Sequence, residues 1–242
     1  MLRAILFDLD DTLFDHSHCA RAAITAVHGA HACFRAVPFE AFERTHAGHL
    51  EALHRDVLSR ARTVDEARLE RFRRLLGEAG GEAAVAAGVA DQYRTGYVAA
   101  RRAVRGAAAA LARLRRRASI VVVSNNLLAE QQAKIEECGL APHIDALVVS
   151  EQAGAAKPDP RIFEVALDAA SARASEAVMV GDSWPADIAG AHAAGIVPIW
   201  FNPLGLPAPA APAAVSELRG FEPAAEAVDA ILRAHASRAD RD

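Results

Sequence analysis

The sequence predicts an α/β fold, a doubly wound parallel sheet of the Rossmann-like type with an all-helical domain inserted into it. Short continuous apolar runs alternate with helical stretches, which is typical of parallel strands covered on both faces. The alternation is interrupted once, after the first run, by about 90 residues without a convincing strand. An ordinary crossover connection is far shorter, so this interval indicates an insertion.

Local patterns in the sequence predict the individual helices, connections and strands. Two helices are clear between the strands: Leu127–Cys138 is ended by Gly139, and Arg161–Ala170 follows a Pro-Asp-Pro start. The Pro-rich piece Pro203–Pro212 is predicted to be a surface connection. The predicted strands are Ala4–Phe7, Ser119–Val123, Ala146–Val149, Ala177–Val180 and Ile196–Phe201.

The interval between the first two strands has a helical composition. It is rich in Ala, Leu, Arg, Glu and His, and apolar residues such as Leu50, Leu53 and Val57 recur at helical spacing. We expect residues 15–103 to form a helical cap over the carboxyl edge of the sheet. The catalytic core then comprises residues 1–14 and 104–242.

Composition and charge narrow the class of protein. With 242 residues, of which 52% are hydrophobic, the chain can bury a full core. A net charge of −4 gives no reason to expect a nucleic-acid or membrane partner, and the basic run Arg113–Arg117 is interpreted as a solvated helix face. Three scattered cysteines form no metal or disulfide pattern, and we find neither a leader pattern nor a bilayer-spanning apolar stretch. We expect a soluble cytoplasmic protein.

Lysine is scarce in this sequence. All but two of the 27 Lys and Arg residues are arginine, and the two lysines are Lys134 and Lys157. A bias of base composition explains the scarcity. A lysine that persists under such a bias marks a position where arginine does not serve equally well.

Polar side chains follow four of the predicted strands. In an open parallel sheet, ligands bind beyond the carboxyl ends of the strands, so these side chains are expected to meet. Strand one is followed by Asp8 and Asp10, strand two by Ser124 and Asn125, strand three by Lys157, and strand four by Asp182 and Asp187.

This combination suits phosphoryl transfer through a covalent intermediate. Clustered carboxylates repel one another unless a hard divalent cation lies among them, and oxygen ligands suit Mg²⁺. The cation and Lys157 would neutralise a phosphate, while the Ser124 hydroxyl and nearby backbone N–H groups would fix its oxygens. One carboxylate can then attack phosphorus while a neighbour transfers protons.

Four motifs in order resemble those of the haloacid dehalogenase superfamily of hydrolases. They are DLDDT at Asp8–Thr12, Ser124 in VVVSNN, Lys157 in AKPDPRIFE, and GDSWPAD, which contains Asp182 and Asp187. The resemblance covers essentially the whole chain outside the insertion. It implies that the inserted helices are a subclass I cap.

The resemblance also implies individual roles. Asp8 would be the nucleophile that forms an aspartyl-phosphate, and Asp10 the general acid and then base. Mg²⁺ would be held by the Asp8 carboxylate, the Asp10 backbone carbonyl and Asp182, with Asp187 in support.

Contacts to the substrate are expected from both predicted domains. The phosphate-binding residues would be Thr12, Ser124, Asn125 and Lys157, and His16, just past the nucleophile strand, is placed to touch a substrate. We therefore expect a Mg²⁺-dependent phosphatase acting on a small phosphorylated metabolite such as a nucleotide or a sugar phosphate. The sequence does not indicate an oligomeric state.

Other functions remain open at this stage. True haloacid dehalogenases are similar but lack the second aspartate of the first motif and the acids of the last. The finer resemblance is to pyrimidine 5′-nucleotidases and N-acylneuraminate-9-phosphatases, yet phosphoglycolate phosphatases and β-phosphoglucomutases share the same motifs, so a phosphomutase is an alternative. A receiver-like phospho-acceptor module fits poorly, because its phosphorylated aspartate would follow strand three, where this chain has Val149-Ser150-Glu151.

Overall fold

The computed structural model of the chain contains a six-stranded parallel sheet, and it describes residues 1–59, 61–210, 212 and 215–239. The strands are β1 (Ala4–Phe7), β2 (Ser119–Ser124), β3 (Ala146–Val149), β4 (Ala177–Gly181), β5 (Val197–Phe201) and β6 (Ser216–Leu218). Their order is β3-β2-β1-β4-β5-β6, and every neighbouring pair is parallel. The strand order reverses between β1 and β4, where the carboxyl ends of a doubly wound sheet leave a crevice. The predicted fold class is confirmed.

The predicted strands are all present, with ends that differ by one residue at most. β2 and β4 each run one residue further, and β5 begins at Val197 rather than at Ile196. The sixth strand, β6, was not predicted. Two of its three residues are exposed, and it pairs with β5 at the edge of the sheet through backbone hydrogen bonds. Such a strand has no apolar run by which a sequence would reveal it.

Contacts divide the chain into two compact units, Met1–Asp15 with Arg102–Asp242, and His16–Arg101. The described residues of the second unit form no strand of the sheet. Its helix α4 (Val64–Glu78) begins with a capping box, in which Thr63 and Glu66 exchange hydrogen bonds of 2.8 and 3.2 Å. The helices of this unit are α1 (His16–Ala30), α2 (Ala32–Arg35), α3 (Phe39–Leu58), α4 (Val64–Glu78) and α5 (Ala86–Ala99), with a 3₁₀ turn at Ala83–Val85.

The remaining helices accompany the sheet. Helix α9 (Pro160–Ala169) buries Ile162, Phe163 and Ala166 in one cluster with residues of the central strands. These helices are α6 (Ala107–Leu114), α7 (Leu128–Glu137), α8 (Ser150–Ala153), α9 (Pro160–Ala169), α10 (Gly190–Ala193) and α11 (Ala224–Ala239), with a π-helical segment at Trp184–Ala189 and 3₁₀ turns at Ala141–His143 and Ala174–Glu176. No helix in the described part of the chain has the length and apolar character needed to cross a membrane.

Candidate active site

The end of β1 places two carboxylates at the crevice in the sheet. The strand itself is fully buried, and its pairing with β4 continues for one residue, because the Asp8 N–H donates to the Val180 carbonyl at 2.9 Å. The chain then turns at Asp11, whose φ of 62° lies in the left-handed region that Asp tolerates better than most residues. Asp8 is thereby fixed at the switch point of the sheet, with Asp10 on the turn beside it.

Lys157 lies buried between two carboxylates. Its Nζ donates to Asp8 Oδ1 at 2.5 Å and to the Val123 carbonyl at 2.7 Å, and it forms an ion pair with Asp187 Oδ1 at 2.7 Å. The amide of Asn125 holds the backbone of the same lysine from both sides, donating to its carbonyl at 2.8 Å and accepting from its N–H at 2.7 Å. Asn125 thus positions Lys157, and its predicted contact with phosphate stays a prediction.

Three carboxylates converge beside Lys157. Oxygen atoms of Asp8, Asp182 and Asp187 lie within 4.8 Å of one another. Asp187 is fully buried and accepts a hydrogen bond of 3.0 Å from the Ser183 N–H. Gly181 lets this carboxylate approach the end of β4, because a Cβ at that position would overlap the Asp187 carboxylate. The motif predicted after the fourth strand therefore meets the motif after the first.

The electrostatics of this cluster favour a cation. Burial raises the pKa of Asp8, and Asp187 and Asp182 raise it further against the opposing effect of Lys157. Burial also raises the pKa of Asp182 to about 7, with additional repulsion from Asp187 and Asp11. At Lys157, burial lowers the pKa, but the two neighbouring carboxylates outweigh it and the net shift is upward. The single ammonium of Lys157 thus does not neutralise the three carboxylates. Three oxygen donors around one point suit a hard divalent cation.

We expect the stability of the metal-free protein to fall as the pH rises toward 7. The folded-state pKa of Asp182 is raised to about 7 from an ordinary value of 3.8, so its contribution is fully present below about pH 4 and is lost as the pH passes through about 7. Thermal unfolding in EDTA between pH 5 and 8 should show a steeper decline for the wild type than for Asp182→Asn. Mg²⁺ should raise the unfolding temperature more at pH 8 than at pH 5.5. Parallel curves for the two proteins would contradict this description of the cluster.

Asp10 occupies different surroundings from Asp8. Lys134 Nζ donates to Asp10 Oδ1 at 2.6 Å, and Gln131 Nε2 donates to Asp10 Oδ2 at 2.9 Å and to Ser124 Oγ at 2.5 Å. Both residues lie one turn apart on α7 and are buried. Sequence reasoning missed Gln131 and Lys134 as site residues. The signal for Lys134 was its rarity, since the two lysines of the chain each hold one carboxylate of the first motif.

Two further predicted residues have other partners in the structure. Thr12 is fully buried, and its hydroxyl donates to Asp182 Oδ1 at 3.3 Å. His16 belongs to the helical unit, where its Nδ1 and the Tyr97 hydroxyl are 2.7 Å apart. Contact of either residue with a substrate stays a prediction.

The sequence matches the haloacid dehalogenase-like hydrolase family over residues 2–195. The chain belongs to this family. Among curated relatives, the ribulose-1,5-bisphosphate 5-phosphatase of Halopiger xanaduensis is 32% identical over 84% of this chain and 86% of its own length. The phosphoserine phosphatase of Thermus thermophilus is 33% identical over 83% and 89% of the two chains. A shorter match of 75 residues, 43% identical, covers 31% of this chain and 33% of the pyrimidine 5′-nucleotidase YjjG of Escherichia coli.

Solved structures of the haloacid dehalogenase-like hydrolases have the same fold. The putative hydrolase YfnB of Bacillus subtilis, solved bound to magnesium, superposes with a TM-score of 0.73 at 26% identity, over 94% of this chain and 99% of the other. The 2-haloacid dehalogenase of Pseudomonas syringae superposes with a TM-score of 0.63 at 27% identity, over 95% and 99%. The family therefore contains both phosphatases and dehalogenases, so the site residues must decide between these activities.

Proposed function

We propose that the protein is a Mg²⁺-dependent phosphatase that hydrolyses a small organic phosphate monoester through an aspartyl-phosphate on Asp8. The observation that carries the proposal is the contrast between two carboxylates of one loop. Asp8 lies among acids beside Lys157, whereas Asp10 is held by Lys134 and Gln131. Neighbouring carboxylates in contrasting surroundings are suited to different roles, a nucleophile and a proton carrier.

The acidic cluster is the proposed metal site. Asp8, Asp182 and Asp187 supply oxygen donors within 4.8 Å of one another, and the pKa of Asp182 is raised by burial and then by repulsion from Asp187 and Asp11. A bound Mg²⁺ would supply positive charge toward the phosphoryl oxygens. Lys157 would neutralise the remaining charge and keep Asp8 aligned.

The chain's own residues account for two proton-coupled steps. A carboxylate oxygen of Asp8 attacks phosphorus, the ester P–O bond breaks, and the departing oxygen takes a proton from Asp10. Asp10 then accepts a proton from water as that water attacks the phosphorus of the aspartyl-phosphate. The P–O bond to Asp8 breaks and phosphate leaves, so that Asp8 is again a carboxylate and Asp10 is again the protonated acid with which the first step began. Lys134 and Gln131 would keep Asp10 oriented for both transfers.

A dehalogenase has less use for this arrangement. The halide it releases requires no proton, so a carboxylate such as Asp10 would have no leaving group to protonate. The relatives that are at least 30% identical over most of this chain, as reported above, carry the names of phosphatases, which supports the same choice. We further propose that residues 15–103 form a helical cap that selects the substrate.

A substrate screen with metal control tests the function. Phosphate release would be measured from nucleoside monophosphates, sugar phosphates, phosphoserine and phosphoglycolate, with 2-chloropropionate as the dehalogenase substrate. We expect turnover of at least one ester with Mg²⁺, none after EDTA, weak recovery with Ca²⁺ because its larger coordination shell would misalign Asp8, and no chloride release. Undiminished activity after exhaustive chelation would overturn the metal assignment. Chloride release without phosphate release would overturn the phosphatase.

A further inference from the structure

Arg71 in the helical unit is a buried cation without an anionic partner. It lies on α4 at the middle of the stripe Ala67, Arg71, Leu75, which is the face that the helix buries. Its residue exposure is 5%. Among the described residues, no carboxylate forms an ion pair with it and no acceptor receives a hydrogen bond from it. Arginine is almost never buried in this way unless it is paired.

Neighbouring arginines of the same helix show the ordinary arrangement. Arg68 pairs with Asp65 at 2.7 Å, and Arg74 pairs with Glu70 at 2.9 Å. Arg68 and Arg74 thus each have an acid on the same helix, whereas Arg71 on its buried face has none among the described residues. Packing alone would be satisfied by an apolar side chain at position 71, as at the positions one turn before and after it.

Two aromatic rings pack against the guanidinium of Arg71, and part of the side chain stays accessible. Its Cζ lies 4.6 Å from the centre of the Tyr93 ring and 5.0 Å from that of Phe72. Of its three nitrogens, Nε alone lacks both a partner and contact with solvent. Neither Nη atom is fully buried without a partner, so each keeps some contact with solvent. A guanidinium fixed by aromatic faces, with its Nη edge accessible, is suited to bidentate binding of a carboxylate or phosphate.

The polar groups near Arg71 do not supply the missing charge. The imidazole of His46 lies 5.0 Å from the Tyr93 ring and 6.0 Å from the Phe72 ring, centre to centre, and its Nε2 is buried without a partner. Burial lowers the pKa of His46 to about 3, with a smaller effect of Arg71, so this side chain is neutral at pH 7. A cation, a neutral donor or acceptor and two aromatic rings thus surround one place within the helical unit.

We infer that Arg71, with His46 and Tyr93 beside it, forms a binding site in the helical unit for the carboxylate or phosphate group of a small molecule. Two sources have this chemistry, a second anionic group of the substrate or a separate anion that regulates the enzyme. The binding site itself does not depend on the proposed phosphatase activity. Only the assignment of the anion to the substrate rests on the proposed phosphatase activity.

Thermal unfolding of the full chain tests the site. Sodium malonate, compared with NaCl at equal ionic strength, should raise the unfolding temperature of the wild type. Arg71→Met keeps a flexible apolar side chain against the rings but removes the charge, so the anion-induced rise in unfolding temperature should shrink by at least half. The control Arg74→Met, on the same helix, should show the full rise. Without added anion, Arg71→Met should unfold at the same temperature as the wild type or higher, because it removes an unpaired buried charge. An equal rise in both variants, or a destabilised Arg71→Met, would overturn the inference.

Kinetics with two matched esters then identify the source. Phosphoglycolate and 2-hydroxyethyl phosphate differ by one carboxylate. If the anion belongs to the substrate, Arg71→Met should lower kcat/KM for phosphoglycolate at least about tenfold and leave 2-hydroxyethyl phosphate unchanged. If it is a separate effector, malonate should change the rate with both esters in the wild type and have no effect on Arg71→Met. A protein without phosphatase activity would fail this comparison and still show the anion effect on unfolding, which separates the two proposals.

Discussion

Asp8→Asn is expected to eliminate turnover of every phosphate ester. The amide is a poor nucleophile. Asp8 directly follows β1 at the switch point of the sheet, and its carboxylate accepts a hydrogen bond from Lys157. The loss should be the same for esters with good and with poor leaving groups, because the covalent step itself is missing. Steady-state phosphate release from p-nitrophenyl phosphate and from an alkyl phosphate measures it.

Two controls separate this loss from a folding defect. Asp8→Asn removes one of three mutually repelling carboxylates, so its unfolding temperature in EDTA should not fall below that of the wild type. Asp11→Asn makes the same change of charge three residues along, at a turn position with a φ of 62° that Asn also tolerates. This variant should stay within about tenfold of wild-type activity, because the Asp11 charge raises the pKa of Asp182 less than burial and Asp187 do. Residual turnover in Asp8→Asn above that of a mock preparation would contradict the nucleophile assignment.

Asp10→Asn is expected to lose activity according to the leaving group. An alkyl phosphate releases a strongly basic alkoxide that needs the proton of Asp10, so its turnover should fall about a hundred- to ten-thousandfold. p-Nitrophenyl phosphate releases a weakly basic phenolate, and its first step should be affected much less. Single-turnover rates with the two esters measure the difference. Equal first-step losses would mean that Asp10 is not the proton carrier.

Lys134→Met tests the same role through the partner of Asp10. It removes the ammonium 2.6 Å from Asp10 Oδ1 and leaves Gln131 in place. The loss should follow the same dependence on the leaving group as in Asp10→Asn and be smaller, about tenfold for an alkyl phosphate, because a positioning contact is removed and the carboxylate remains. A uniform loss for both esters would assign Lys134 to packing.

The sequence predicted those parts of the fold in which burial requires a recognisable run of apolar residues. β1, β2 and β4 are central strands, covered on both faces, so each is a continuous apolar run bounded by polar residues. β6 carries no such pattern, because it lies at the sheet edge and is fixed by its backbone pairing with β5. Hydrogen bonds between backbones do not depend on side-chain type, so the sequence alone gives no sign of this strand.

The candidate site was accessible to the extent that its residues directly follow strands. Asp8, Ser124 and Asp182 stand at strand ends, and parallel topology brings such ends to one edge. Gln131 and Lys134 reach Asp10 from the middle of α7, at a sequence separation of more than 120 residues. Nothing in a local pattern distinguishes a helix position that faces a site from one that faces the core. Arg71 could not be singled out from the sequence for a related reason. It is one of several arginines in its helix, and only the structure shows that it is buried without an anionic partner among the described residues.

The covalent role of Asp8 can be observed by rapid mixing of Asp10→Asn with p-nitrophenyl phosphate in Mg²⁺, followed by acid quenching and mass analysis of the peptides. If Asp8 is the nucleophile and Asp10 activates water in the second step, the variant should release about one phenolate per active site and then stall. The phosphoryl group should be found on the peptide that contains Asp8. Steady release without a burst would contradict the role of Asp10 in the second step, and a phosphoryl group on any other residue would contradict Asp8 as the nucleophile.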